Sequence, residues 1–232
     1  MTDHPITSQE QWLAARRELL TKEKQFTQLR DQLSEQRRQL PWVKVERAYT
    51  FQGANGPETL AQLFEGRHQL IVYHLMFAPE NERACKNCSF WADHFDGIEA
   101  HLKQRDTTFA AISRAPLPKL QRMAQELGWR FKWLSCGENG FNHDFGTSFT
   151  PEERATGSID YNFGKFPAYG ADMPGISVFF RDGEQVFHTY STYARGIDLL
   201  NTTYNYLDLT PQGRDEGSQP MSWVQHRDRY GH

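Results

Sequence analysis

The sequence has little cysteine, three residues in 232. That count cannot build the disulfide framework that stabilises small secreted domains. It has no excess of positive charge either, since 26 Lys and Arg face 29 Asp and Glu, for a formal net charge of -3. A nucleic-acid-binding surface, which needs a strongly positive face, is therefore not expected. Long apolar runs are also missing. The longest cover a few residues, against the roughly 20 that a bilayer span requires, so no membrane partner is expected. The chain opens Met1-Thr-Asp-His-Pro5, without a basic stretch followed by an apolar one, so no secretory leader is expected and a cytoplasmic location is. Aromatic residues, by contrast, reach 13% and supply the bulk for a sizeable core.

Glycine and proline are absent from residues 8–40. Ser8 with Gln11 forms a capping-box signature. Trp12, Leu19, Phe26, Leu33 and Leu40 recur every seven residues, widened by Leu13, Leu20 and Leu29. The pattern predicts one long amphipathic helix ended by Pro41. Its stripe suits packing on the chain's own body or, alternatively, a homodimer arm. The second seam position (Ala15, Lys22, Leu29, Gln36) is too polar for a long two-stranded coiled coil. The expected organisation is an arm over 1–42, a domain over 43–210 and a tail over 211–232, which Met221, Trp223 and Val224 can dock.

Within the domain, 46–52 reads as a short strand, Asn55-Gly-Pro57 as a turn and 59–64 as a short helix. The mostly apolar 69–77 and 107–113 read as strands buried on both faces. Helical spacing of Phe90, Trp91, Phe95, Ile98 and Leu102 predicts a helical segment from Cys85 to Arg105 between them. Residues 116–127 read as a helix with Gly128 just past its end, and 131–134 as a strand. Residues 135–173 resist assignment, and a stretch that long is either functional or carries short elements. A hairpin over 175–190 turns at Asp182-Gly183, and 194–207 closes as a helix. The order strand, helix, strand, helix, hairpin, helix predicts an α/β thioredoxin-like fold, a central mixed sheet flanked by helices.

The strongest chemical signal is Cys85-Lys-Asn-Cys88. A Cys-x-x-Cys at a helix start places its first thiol among unpaired backbone N–H groups, with Lys86 adjacent, and both favour the thiolate. The second sulfur, one turn on, is placed to resolve a mixed disulfide. Position after a buried strand gives the motif its redox reading. Two competing readings stand beside it. The thiols merely pack, or they hold zinc with His94 and Cys136 or His143, although no closely spaced second ligand pair is evident. Met173-Pro174 immediately precedes an apolar strand. In thioredoxin-like folds a cis proline at this point lies against the cysteines, so Pro174 is the candidate for a substrate-facing cis proline, against an ordinary trans proline starting a strand.

Other segments carry a family resemblance. They include Leu70-Ile-Val-Tyr-His-Leu-Met-Phe77, Cys88-Ser-Phe-Trp-Ala-Asp93, Ile112-Ser-Arg-Ala-Pro-Leu117, Phe141-Asn-His-Asp-Phe-Gly146, Phe187-His-Thr-Tyr-Ser-Thr-Tyr-Ala-Arg-Gly196 and Tyr206-Leu-Asp-Leu-Thr-Pro211. Over nearly its whole length the chain resembles a bacterial thioredoxin-like family of unknown function, labelled as related to the alkyl hydroperoxide reductase and thiol-specific antioxidant group. The resemblance implies a thioredoxin-like fold and redox-active Cys85 and Cys88. A peroxidase site of the usual type resembles Pro-x-x-x-Thr/Ser-x-x-Cys. Here Pro79 is followed four residues later by Arg83, and Cys85 falls one residue short of that spacing. Disulfide exchange by an oxidoreductase therefore ranks above peroxide reduction, and a zinc- or thiol-bearing binding module is the non-enzymatic alternative. Cys85 is the expected nucleophile and Cys88 the resolving thiol. Met173, Pro174, Arg83 and Trp91 are expected near substrate, with His188, Tyr190, Tyr193, Arg195, His143 and Cys136 as further candidates. No metal and no organic cofactor is expected, and the expected partner is a protein or small-molecule thiol or disulfide.

Overall fold

The structure, a computed structural model, describes residues 4–231; Met1 to Asp3 of the arm and His232 of the tail lie outside the described residues. The chain divides into two units, Met1–Pro41 and Trp42–His232. In the first, α1 (Gln9–Arg38) runs for 30 residues and starts at the predicted capping box. The Ser8 hydroxyl accepts the Gln11 N–H at 3.2 Å, and the Gln11 side chain accepts the Ser8 N–H at 3.5 Å. None of its residues is buried, and Trp12, Leu19, Phe26 and Leu33 stand exposed. No described helix is long and apolar enough to cross a membrane.

The second unit contains strands β1 (Val43–Lys44), β2 (Thr50–Gly53), β3 (Gly56–Thr59), β4 (Gln69–His74), β5 (Thr107–Ser113), β6 (Trp133–Ser135), β7 (Ser158–Tyr161), β8 (Gly164–Pro167), β9 (Gly175–Asp182) and β10 (Gln185–Tyr193). Among the described residues, eight of them form one sheet in the order β1-β10-β9-β4-β5-β6-β2-β3. β4 and β5 are parallel, β9 is antiparallel to β4, and β10 is antiparallel to β9. A parallel pair extended by an antiparallel hairpin, with a helical crossover between the parallel strands, is the thioredoxin-like arrangement. Trp42 packs against Phe180 at 4.9 Å, with the rings tilted, and so begins this unit rather than ending the arm.

The pleat of the central strands sorts the core. Along β4, Ile71 and Tyr73 turn to one face, while Leu70 and Val72 turn to the other. β5 does the same with Phe109 and Ala111 against Ala110 and Ile112. The first face is covered by α2 (Lys86–Ala92), α3 (Ile98–Lys103) and α4 (Leu117–Leu127), through residues such as Trp91, Leu102 and Leu120. The second gathers Tyr49, Phe51, Leu63, Phe64, Cys136, Phe141 and Phe179.

Several predicted elements are divided. The segment from Cys85 breaks at Gly97, whose φ of 91° is a left-handed conformation that glycine adopts without a Cβ clash. The first strand begins at Thr50 rather than Glu46, and the short helix after it is one 3-10 turn, Gln62–Phe64. The closing helix is a 3-10 segment, Ala194–Leu200, followed by α7 (Thr202–Leu207) capped by Asn201. The unassigned 135–173 holds α5 (Phe141–Asp144), α6 (Pro151–Ala155) and the β7–β8 hairpin.

Phe141 is fully buried, with its ring 4.7–5.0 Å from those of Tyr49, Phe51 and Phe145. Phe141→Ala should cost about 3–5 kcal/mol, as cavity-forming Phe truncations do. Urea unfolding checks this as a lower midpoint at unchanged slope. A loss below about 1 kcal/mol would mean the short α5 is not integral to the second core layer.

Candidate dithiol site

Cys85 is the N-cap of α2, and its amide donates to the Met76 carbonyl at 2.9 Å. This bond ties the helix start to the end of the β4 segment. Its carbonyl accepts from the Ser89 amide at 2.9 Å and the Ser89 hydroxyl at 3.0 Å. Cys85 is half-buried and Cys88, one turn on, is buried; neither is in a disulfide.

Three neighbouring groups and one charge act on the Cys85 sulfur. The Cys88 thiol contributes most, followed by the backbone N–H groups of Cys88 and Asn87, and the Lys86 charge adds to them. Against the opposing effect of burial they draw the Cys85 thiol down to about 6. The same hydrogen bond, together with burial and the neighbouring negative charge, pushes Cys88 well above the usual thiol range. The pair thus shares one negative charge, localised on Cys85. Tyr73 adds a group that sequence reading missed. Its buried hydroxyl lies beside Cys88 and is left without a conventional hydrogen-bond partner.

The tail closes over this helix start. The Lys86 ammonium donates to the Ser222 carbonyl at 3.2 Å, and His226 Nε2 donates to the Ala84 carbonyl at 2.9 Å. Val224 is fully buried in the cluster that contains Cys88, and Trp223 packs on Phe90 at 5.4 Å. Arg83 corrects an expectation. Its guanidinium grips both oxygens of Asp228 at 3.0 and 2.9 Å and lies 3.4 Å from Glu126. It fastens the tail and is not directed at the sulfur. Trp91 is likewise a core residue, 4% exposed, with its indole N–H donated to the Ile197 carbonyl at 2.9 Å. It offers no surface to a substrate.

Pro174 also departs from expectation, since no cis peptide bond occurs among the described residues. It precedes β9 as an ordinary trans proline. Its carbonyl accepts the Tyr161 hydroxyl at 2.6 Å, and the same oxygen of Tyr161 accepts the Ala194 amide at 2.9 Å. Met173 packs beside Ile159 and Tyr161 from the β7–β8 hairpin. Burial raises the Tyr161 hydroxyl, and the Cys88 sulfur is near enough to add to that rise, so Tyr161 borders the thiol region. Nothing in the residue order of 135–173 marks Tyr161 as such a neighbour.

The remaining candidates lie elsewhere. Cys136 is buried among the residues of the opposite core layer, its thiol pushed up to about 12 mainly by burial, so it does not resolve Cys85. His143 is half-exposed and paired with Glu153 at 3.2 Å, and Arg195 is exposed and paired with Asp198 at 3.1 Å. His94 bonds the Thr203 hydroxyl at 2.9 Å. The supposed zinc ligands are therefore dispersed, and no cluster of three or more metal-ligating side chains occurs among the described residues.

His188 also leaves the thiol region. It faces Phe145 and Phe179 on the opposite side of the sheet, with its Nε2 at 2.7 Å from the Ser191 hydroxyl. Ser191 bonds Ser177 at 2.9 Å, Ser177 bonds His74 Nε2 at 2.9 Å, and His74 Nδ1 bonds Asn142 Oδ1 at 2.9 Å. The two serines and His74 are buried, and burial draws His74 down to about 4. Tyr190 pairs across from Val178 in the sheet, and Tyr193 packs beside Tyr161.

Among solved structures, the chain is similar to the peroxidoxin BcpB of Mycobacterium tuberculosis at 15% identity. That match covers 71% of this chain and 95% of the other, with a TM-score of 0.45. It is similar to a Xanthomonas campestris bacterioferritin comigratory protein at 11% identity, covering 66% and 88%, with a TM-score of 0.43. A hypothetical protein of Sinorhizobium meliloti 1021 matches at 14% identity over 64% and 70%, with a TM-score of 0.41. The fold assignment rests on the strand order above. No curated protein matches the chain. The model of the bacterial protein of unknown function family DUF899 matches residues 1–230, and the chain belongs to that family.

Proposed function

We propose that this chain is a thiol–disulfide oxidoreductase with Cys85 as nucleophile and Cys88 as resolving thiol. The observation that carries the reading is the asymmetry of the pair. One sulfur is half-buried at a helix start and held toward thiolate, and the other is buried beside it and held as thiol. In the first step the Cys85 thiolate attacks one sulfur of a substrate disulfide. A Cys85–substrate disulfide forms and one substrate thiolate leaves. The negative charge that holds up the Cys88 pKa is then gone, so Cys88 gives up its proton more readily. Cys88 attacks the Cys85 sulfur, closes the Cys85–Cys88 disulfide and releases the second substrate thiol. Two electrons pass to the substrate, and an external dithiol must return them. In a reducing compartment such as the cytoplasm the pair would rest as the dithiol this chemistry needs. The Arg83 guanidinium, committed to Asp228 and Glu126, supplies no cation for a peroxide at the sulfur. Disulfide exchange is therefore favoured over peroxide reduction.

Cys85→Ser should abolish disulfide reduction in an insulin assay, whereas Cys88→Ser should accumulate substrate mixed disulfides visible by mass spectrometry. Wild-type activity in Cys85→Ser would overturn the assignment. A sulfenic acid at Cys85 at sub-millimolar peroxide, with no insulin reduction by the wild type, would favour the peroxidase instead.

Alkylation of the wild type by iodoacetamide should rise with pH through a midpoint near 6 rather than 9. The sign follows from the depressed thiol. Above that midpoint Cys85 is ionised and reactive, and below it the thiol is protonated and slow. Cys88→Ala removes the largest lowering contribution, so the midpoint should climb toward the ordinary thiol range. An unmoved midpoint would assign the effect to the backbone amides and Lys86 alone.

A pair that rests as the dithiol in a reducing compartment needs a reduction potential nearer to that of thioredoxin than to that of the oxidant DsbA. Equilibration against glutathione should place the pair nearer to about -270 mV than to about -120 mV. A value at the upper end would make the protein an oxidant.

A further inference from the structure

A cavity of about 790 Å³ opens on the sheet face away from the dithiol, beside His188. Its size lies within the range of small-molecule sites, about 300–1,000 Å³. Its wall carries Tyr49, Phe145, Phe163 and Tyr193, with Val43 and Val45. The charged groups on its rim are internally paired. Arg47 meets Asp144 at 2.8 Å, Lys165 meets Asp160 at 2.8 Å, and Lys44 meets Glu46 at 3.5 Å. The phenolic hydroxyls are spent as well, Tyr49 on Asp144 at 2.7 Å and Tyr193 on the Phe145 carbonyl at 3.0 Å.

His188 is different. Its Nε2 lies 3.0 Å from the Tyr190 carbonyl, which can only accept, so Nε2 carries the proton of the neutral ring. Nδ1 is then an acceptor, and it is not used by the serine chain leading to His74. A β-bulge creates this arrangement. The register of β10 against β9 shifts between His188 and Tyr190, so His188 and Ser191, three residues apart, share one face of the sheet. Bulges commonly re-aim a side chain beside a functional site.

A second, independent observation lies at the cavity mouth. The β7–β8 hairpin turns through Asn162 and Phe163, both left-handed, at φ of 53° and 61°. A two-residue turn of this hand favours Asn-Gly, and a bulky residue at positive φ is strained. Phe163 is also 85% exposed, so no burial compensates it. Its ring lies 5.5 Å from Tyr193 on the cavity wall. A strained, largely exposed aromatic at a cavity mouth is the kind of outlier that clusters at ligand clamps.

The geometry points to a second binding site, independent of the dithiol, for an uncharged aromatic molecule bearing a hydroxyl, whose O–H donates to His188 Nδ1 while its ring lies between Phe163 and the aromatic wall. The probe is 2-naphthol, titrated by its own fluorescence onto the full chain at pH 7. Two controls are 2-methylnaphthalene, which lacks the hydroxyl, and 2-naphthoate, which is charged. We expect saturable binding of 2-naphthol about 5–10-fold tighter than of the methyl analogue, the size of one neutral hydrogen bond. His188→Phe should retain aromatic binding and lose that discrimination. Phe163→Gly should weaken both ligands several-fold and raise Tm, because it relieves the turn. Cys85→Ser should bind like the wild type. Absence of saturable 2-naphthol binding, preference for 2-naphthoate, discrimination persisting in His188→Phe, or unaltered affinity in Phe163→Gly would each overturn the proposal.

Discussion

The pleat of one buried strand decides where this protein's chemistry lies. Consecutive residues of β4 point to opposite faces of the sheet, so Tyr73 and His74 serve different neighbourhoods. Tyr73 lies beside Cys88 in the layer under α2. His74 enters the polar chain that ends at His188. Each position demands a buried polar group, and each meets it differently. His74 is bonded at both nitrogens and stays neutral because burial disfavours its charge. The Tyr73 hydroxyl is left without such satisfaction beside Cys88, the sulfur that loses its proton in the proposed exchange. An under-satisfied donor next to a reactive group is a reason to keep a polar residue in a core at all.

The parts of the fold that the sequence made readable are those with strong local physics. β5 spans the predicted Thr107–Ser113, an uncharged, mostly apolar run that is buried at all seven positions, as a central strand of a covered sheet requires. The arm is equally legible from Ser8, Gln11 and the absence of Gly and Pro. Cys85 stands at the expected helix start, because a helix beginning after a buried strand is a local feature, visible without tertiary information.

What sequence reading missed depends on tertiary register. Alternation along a strand puts His188 and Ser191 on opposite faces, because an odd separation flips the side chain. The bulge cancels that flip, and nothing local announces it. The β7–β8 hairpin was hidden because Phe163 occupies a turn position where glycine would have signalled it. α5 and α6, of four and five residues, are too short to show a period. Pro174 was assigned by position in the fold, yet its carbonyl is taken by Tyr161 from that same unread segment.

Proximity in sequence also misled the reading of charge. Arg83 and Lys86 flank Cys85, and both invite assignment to its thiolate. The tail draws Arg83 away through Asp228, and it gives the Lys86 ammonium the Ser222 carbonyl as a partner. The thiolate is left resting mainly on hydrogen bonds, from Cys88 first and then from backbone amides. This matters for how the site can be tuned. A charge held by a distant cation weakens with salt over a Debye length of about 8–10 Å. One held by adjacent groups, a buried thiol and backbone amides, does not. In the proposed exchange it ends when Cys85 enters the mixed disulfide, and the same loss of charge frees Cys88 to give up its proton.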